Sequence, residues 1–260
     1  MTLIQPVPDS PAAIVDLDAE RLVVIADFHA GFEAAVRSDQ GIEIPSRAPE
    51  RRDRLLSLIE EYQPDKLVVL GDLTHSIGRP GGAERAELEV LVEAIPVPIL
   101  VAKGNHDGII EEFVATDPSL FGNVTILPST GATLGNIGIV HGHTWPHPSL
   151  FDSEYLCVGH EHPCVRLADE VGGRQIERVW LRGECNPAPV SSYWGETIHS
   201  DAELIVFPAF NELCGGTWIN VPDQSFLSPF LPDALDRSTV HLLDGTHLGS
   251  LNGLQIAEQS

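Results

Sequence analysis

The feature that most constrains this chain is a set of short apolar runs that each stop at an acidic, amide or imidazole side chain. Leu22-Val23-Val24-Ile25-Ala26 runs straight into Asp27-Phe28-His29. Five apolar residues with β-branched members suit a strand covered on both faces. Side chains at i and i+2 of an extended chain share a face, so Asp27 and His29 are expected to converge on one object, a metal ion. Lys66–Leu70 repeats the pattern and ends in Gly71-Asp72-Leu73-Thr74-His75, and Pro98–Ala102 runs into Gly104-Asn105-His106-Asp107.

The segments between these runs read as helices. Leu55, Leu58, Ile59 and Tyr62 recur at helical spacing within 46–62, with Pro49 near the start and Pro64 at the stop. Leu88, Leu91, Val92 and Ile95 form the apolar stripe of a second helix, 83–94. Residues 13–18 and 21–26 read as two strands around an Asp-Ala-Glu turn. Strands alternating with helices argue for a layered α/β fold with parallel pairing at its centre, and in such folds sites gather beyond the carboxyl ends of the strands.

The second half is richer in strands. Ile137–Val140 ends in His141-Gly142-His143, and Tyr155–Val158 ends in Gly159-His160-Glu161-His162-Pro163. Residues 178–181 and 203–207 are strand-like, and Asp244-Gly245 suggests a hairpin turn. With no internal repeat, low-complexity run or dividing linker, one domain over residues 1–260 is expected.

Five strand-to-loop junctions therefore carry Asp, Asn and His, and eight of the eleven histidines fall between residues 29 and 162. Any one of them could be a satisfied core or surface histidine. Five such junctions by accident would each need an independent partner beside a buried strand, which is costly. Two divalent ions about 3.5–4 Å apart need a bridging carboxylate, and Asp72, alone after its strand, suits that role. Mixed nitrogen and oxygen ligands suit Zn, Mn or Fe rather than Ca or Mg. The glycines before Asp72, Asn105 and His160 are expected to allow a sharp turn out of each strand. Glu161 alternates away from its neighbours and reads as a supporting or surface group.

Composition narrows the partners. The net charge is −23 and the only lysines are Lys66 and Lys103. Such a surface repels nucleic acid and anionic membranes at ordinary ionic strength. It also suits a protein adapted to molar salt, where repulsion is screened within ~3 Å, and that reading is favoured. No apolar run approaches the ~18 residues of a membrane helix, so no membrane partner is expected. Residues 1–10 lack the features of a secretory signal, so a cytoplasmic location is expected. Cys157, Cys164, Cys185 and Cys214 form no C-x-x-C pair and read as buried thiols.

The order D-x-H, G-D, G-N-H-D, H-G-H and G-H-x-H across residues 27–162 resembles the calcineurin-like metallophosphoesterase superfamily. The resemblance implies two packed mixed β-sheets flanked by helices, an α/β sandwich. It puts Asp27, His29, Asp72 and His162 on one divalent ion and Asp72, Asn105, His141 and His160 on another. Manganese is the first choice of metal, with zinc or iron as alternatives. His106 becomes the non-ligand catalytic histidine that stabilises charge or protonates the leaving oxygen. The implied enzyme is a metal-dependent phosphoesterase, a phosphodiesterase by preference, in which a metal-activated hydroxide attacks phosphorus in line.

A finer likeness is to ICC-like phosphoesterases of archaea and bacteria, including ligase-associated DNA-repair members. It is carried by His141-Gly142-His143, Gly159–Pro163 and the run Val206–Gly216 with Pro208-Ala209-Phe210-Asn211 and Gly215-Gly216. That late run reads equally well as a buried strand followed by a glycine turn. The branch implies a nucleic acid or nucleotide as the phosphoester substrate, and a DNA-repair helicase or ligase as partner.

One departure matters. Protein phosphatases of the superfamily follow the G-D motif with Asp-Arg-Gly, where this chain has His75-Ser76-Ile77. The phosphate-clamping Arg and the Asp that orients the catalytic His are missing, which argues against protein phosphatase activity. His75 either takes the orienting role or faces solvent. Three rivals stand beside the main reading. A dinuclear amidohydrolase or metallo-β-lactamase-type enzyme would begin with H-x-H rather than D-x-H. A catalytically silent scaffold would have damaged ligands, and none is damaged. A nuclease subunit of a DNA-repair complex, with DNA recruited by a partner, is compatible with the same chemistry.

Overall fold

The computed structural model describes residues 3–168, 173–221 and 224–254. Two mixed sheets pack face to face with helices outside them, the α/β sandwich that the sequence led us to expect. The first sheet holds β1 (Leu3–Pro6), β2 (Ala12–Asp16), β3 (Arg21–Ile25), β4 (Lys66–Val69), β5 (Ile99–Ala102) and β6 (Val124–Leu127) in that spatial order. β1 to β3 pair antiparallel, whereas β3 to β6 run parallel. Their crossovers are the helices α1 (Phe32–Gln40), α2 (Ala48–Tyr62) and α3 (Gly82–Ala94), followed by the short α4 (Ile110–Ala115) and α5 (Pro118–Phe121).

The second sheet is built from β7 (Ala132–Leu134), β8 (Ile137–Val140), β9 (Tyr155–Val158), β10 (Cys164–Ala168), β11 (Arg174–Cys185), β12 (Glu203–Val206), β13 (Leu235–Leu242) and β14 (His247–Ser250). The helix α6 (Ala188–Trp194) lies between β11 and β12 in sequence. β8, β9 and β12 are mutually parallel, and Asp244-Gly245 makes the turn between β13 and β14 as expected.

Strand period sorts the core into layers. Val23, Ile25, Leu67 and Val69 face the helices, packing with Leu55, Leu88 and Leu91. Their neighbours Leu22, Val24, Val68 and Leu70 face the second sheet, meeting Ile139, Cys157, Trp180, Ile205 and Phe207. Each fully buried aliphatic side chain contributes roughly 1.5–3 kcal/mol of transfer free energy, so both faces are specified strongly.

Register brings the strand ends level. Ile25 pairs with Val69 and Val69 with Val101 in the first sheet. In the second, Val158 lies opposite both Val140 and Val206. A parallel bridge between Ala26 and Ala209 joins the two edges, and the Phe210 N–H donates to the Ala26 carbonyl at 2.8 Å. Five motif-bearing tips therefore meet along one rim of the sandwich.

Candidate metal centre

The tips are not extended chain. β3 ends at Ile25, and Asp27 (φ 55°) and His29 (φ 48°) are left-handed, as are Asp72 (50°), His160 (70°) and His162 (44°). The expectation that Asp27 and His29 converge by strand alternation is thus corrected: they converge because the backbone turns sharply after the strand. Asp and His tolerate this conformation better than most residues, at a cost of about 1–2 kcal/mol each. Only eight non-glycine residues among those described have positive φ, and five of them are these. Such concentrated backbone strain belongs to sites whose geometry the surrounding structure holds in place.

Glycine serves two purposes here. Gly71 has φ +80°, and a Cβ on it would sit 2.3 Å from the His141 Nδ1. Gly104 has no such φ; a Cβ there would lie 2.1 Å from the Asp72 Oδ1, so close approach of a carboxylate, not the turn, requires it.

The side chains meet around Asp72. Its Oδ2 lies 3.6 Å from the His29 Nε2 and 3.4 Å from the His141 Nε2, while its Oδ1 accepts the His106 backbone N–H at 2.9 Å. Asp27 Oδ1 lies 3.2 Å from the His162 Nε2 and 3.7 Å from the His141 Nδ1. Two compact groups result, one of Asp27, His29 and Asp72, the other of Asp72, His141 and His160, each with its ligand atoms within 4.8 Å of one another. Asp72 belongs to both. The Asn105 Oδ1 joins the second group, 3.1 Å from the His141 Nε2. His29 is also grouped with His75 and His106, and with His162 and Cys214.

Backbone carbonyls decide which ring nitrogens are free. A carbonyl only accepts, so Nδ1 of His141 donates to Leu70 (2.8 Å), and Nδ1 of His162 donates to Gly215 (2.7 Å). In the neutral rings, Nε2 then carries a lone pair, and both point at carboxylate or amide oxygens. Acceptors facing acceptors need a positive charge between them. The His29 Nε2 adds to this, being buried with no hydrogen-bond partner. A cation coordinated by these atoms satisfies every one of them, and carbonyl-anchored imidazoles with carboxylates are a usual divalent-metal donor set. The residues fit such a cation.

The two carboxylates draw positive charge toward the rings that face them. Burial alone would keep His141 neutral, but Asp72 and then Asp27 outweigh it and push the imidazole up to about 9. Asp27 raises His162 against burial in the same way. Burial holds His29 down to about 3, and burial together with His141 holds His160 and His143 down to about 4. Despite their burial, both carboxyls stay below the ordinary range, because His162 acts on Asp27 and His141 on Asp72.

Several surrounding residues take definite places. Glu161 is no surface group: it is fully buried and accepts from the Thr217 hydroxyl (2.8 Å) and from the N–H groups of Leu227 (3.1 Å) and Ser228 (2.6 Å). The His75 ring is half-buried rather than facing solvent, and stacks on His106 with centroids 5.0 Å apart. The group that fixes His106 is the carbonyl of His75, which accepts from the His106 Nδ1. His143 lies beside His141 and His160 with its Nδ1 buried and unpartnered.

The run Val206–Gly216 begins as the end of a buried strand and then borders the site. The Asn211 N–H donates to the Asp27 carbonyl at 3.2 Å. Asp107 had no role assigned from sequence although it closes the G-N-H-D motif. It is fully buried and accepts from the Thr74 and Gly104 N–H groups at 3.0 and 2.9 Å, tying two tips together. The sequence reads Cys214 as a buried thiol, but it is only partly buried and stands in the group with His29 and His162. Nothing in its spacing signalled this, because 52 residues separate it from His162.

Among the described residues, no helix is long and apolar enough to cross a membrane. No curated protein matches the sequence. Among solved structures, the fold is similar to that of nuclease MPE from Pseudomonas putida, with a TM-score of 0.56 and 21% identity, covering 93% of this chain and 98% of that one. The family model for calcineurin-like phosphoesterases matches residues 20–182, which include every strand-tip motif described above, and the chain belongs to that family of metal-dependent phosphoester hydrolases.

Proposed function

We propose that this protein is a phosphodiesterase that works with two divalent ions, one held by Asp27, His29, Asp72 and His162 and the other by Asp72, Asn105, His141 and His160. The observation that carries this reading is the Asp72 carboxylate, which belongs to two compact ligand groups at once. Manganese is the first choice of metal, with zinc or iron next. Bound cations supply Lewis acidity that makes water nucleophilic near neutral pH and neutralise charge on the phosphoryl oxygens. His106 keeps a proton on Nδ1 against the His75 carbonyl, so a proton for the departing oxygen would have to come from Nε2 of the doubly protonated ring, which returns to the neutral Nδ1–H form. The Asp72 Oδ1 accepts the His106 backbone N–H, so the acid and the shared carboxylate keep a fixed spacing. His160, held neutral by burial, belongs to the second ligand group, and His143, also held neutral, lies beside it.

A nucleic acid or nucleotide is the proposed substrate class, supported by likeness in fold to the Pseudomonas putida nuclease. The net charge of −23 opposes unaided DNA binding, so a nuclease role would rely on a recruiting partner such as a repair ligase or helicase. The acid-rich, lysine-poor composition supports a protein adapted to molar salt. The test is a salt-matched activity screen of the manganese-loaded protein, with Asp72→Ala as control. Substrates are bis-p-nitrophenyl phosphate, p-nitrophenyl phosphate, cyclic nucleotides and single-stranded DNA. Turnover of diesters without the monoester supports the reading, and preference for the monoester overturns it.

A further inference from the structure

We propose that Cys214 supplies a thiolate ligand to the cation position bounded by Asp27, His29 and His162, and biases that position toward thiophilic divalent ions such as zinc, cobalt or cadmium. The inference rests on the two-ion reading above. Cys157, Cys164 and Cys185 are buried, whereas Cys214 is only partly buried and alone among the cysteines of the described residues in having its sulfur grouped with other ligand atoms.

Its group, with His29 and His162, is joined to the first ligand group twice. His29 belongs to both, and the His162 Nε2 lies 3.2 Å from the Asp27 Oδ1. The buried Nε2 of His29, which has no hydrogen-bond partner, is a further sign that a cation belongs beside this group. The sulfur therefore stands at the edge of the first ligand group and shares His29 with it.

The loop bearing the cysteine is fixed in place. The Gly215 carbonyl accepts from the His162 Nδ1, and a Cβ on Gly216 would lie 1.9 Å from the His162 carbonyl oxygen. The Leu213 N–H donates to the Asn211 Oδ1 at 3.0 Å, and Asn211 is itself tied to Asp27. The Cys214 thiol is thus held between two segments that already carry proposed ligands. Thiolate is a soft donor and selects against manganese and magnesium at this one position, leaving manganese the first choice at the position of Asp72, Asn105, His141 and His160. Binding breaks the Sγ–H bond and forms a sulfur–metal bond, with one proton released to solvent and no change of oxidation state.

The test titrates the metal-free full chain with cobalt(II) in a non-thiol reductant and follows absorbance, bound cobalt and released protons. Wild type is expected to bind two cobalt ions, with a near-ultraviolet sulfur-to-cobalt charge-transfer band that saturates with one of them. Cys214→Ser should keep the visible cobalt bands, lose the near-ultraviolet band and release one proton fewer. Its zinc-over-manganese preference should fall on the order of tenfold. Cys214→Ala, with circular dichroism to confirm folding, repeats the comparison without a hydroxyl. Two bound cobalt ions without a near-ultraviolet band in wild type, or with the same band in both variants, overturn the inference. One bound cobalt with the band in wild type alone supports the thiolate while sinking the two-ion reading. No bound cobalt overturns both.

Discussion

The Nδ1 of His162 donates to the carbonyl oxygen of Gly215 at 2.7 Å, across 53 residues of sequence. This bond orients an imidazole of the G-H-x-H tip from a loop that carries no metal motif. Gly216 beside it is critical, because a Cβ there would run into the His162 carbonyl oxygen. Gly216→Ala is expected to displace the loop and lower metal affinity about 10–100-fold, as losses of outer supporting contacts generally do. Calorimetric metal titration checks this, with circular dichroism confirming that the fold persists.

Asp72→Ala should abolish metal uptake and turnover together, because one carboxylate serves both ligand groups. His162→Ala should do the same for the ion near Asp27. Metal content by atomic emission, measured beside diester hydrolysis, separates these from variants that lose rate alone.

His106→Ala is expected to retain both ions and lose about 10²–10⁴-fold in rate, the usual contribution of a positioned acid. The loss should be greatest for substrates with poor leaving groups. If this variant lost its metal, the role given to His106 would be wrong.

Arg51 links three helices. Its guanidinium binds Glu33 of α1 at 3.3 and 3.2 Å and Glu87 of α3 at 2.7 Å, with its side chain 2% exposed. Glu87 in turn accepts from the Gly31 N–H at 2.8 Å, just after the D-x-H tip. Arg51→Met leaves the buried Glu33 and the partly buried Glu87 without a counter-charge and is expected to cost about 3–5 kcal/mol by urea denaturation. Glu33 is held below the ordinary glutamate range: burial opposes this, but Arg51 and the Arg47 N–H outweigh it. A depressed carboxyl stabilises the fold above its unfolded pKa of about 4.3, and that contribution is lost as pH falls through the folded value. Glu33→Gln should therefore flatten the acid side of the stability profile below about pH 4–5 and leave the neutral side's slope unchanged.

The net charge of −23 predicts stability that rises with salt. Melting temperatures in low and molar KCl should differ clearly, with the higher value in molar KCl. Equal melting in both would remove the salt-adaptation reading.

Much of this protein was settled by its sequence alone. The alternating strands and helices follow from apolar period, since Val23 and Val24 can reach opposite core layers only in an extended chain. The chemistry at each tip was also legible, because Asp, Asn and His immediately after a buried strand are costly unless they share a purpose. Tertiary structure decided what local pattern cannot encode. The left-handed turns at Asp27, His29, Asp72, His160 and His162 are local strain that packing of the whole rim sustains. The burial of Glu161, the His75 carbonyl on His106, and the approach of Asn211, Cys214 and Gly215 depend on contacts between remote segments. Sequence period describes which face a residue takes, whereas these contacts depend on which strand ends lie level, and that emerges only when two sheets are packed together.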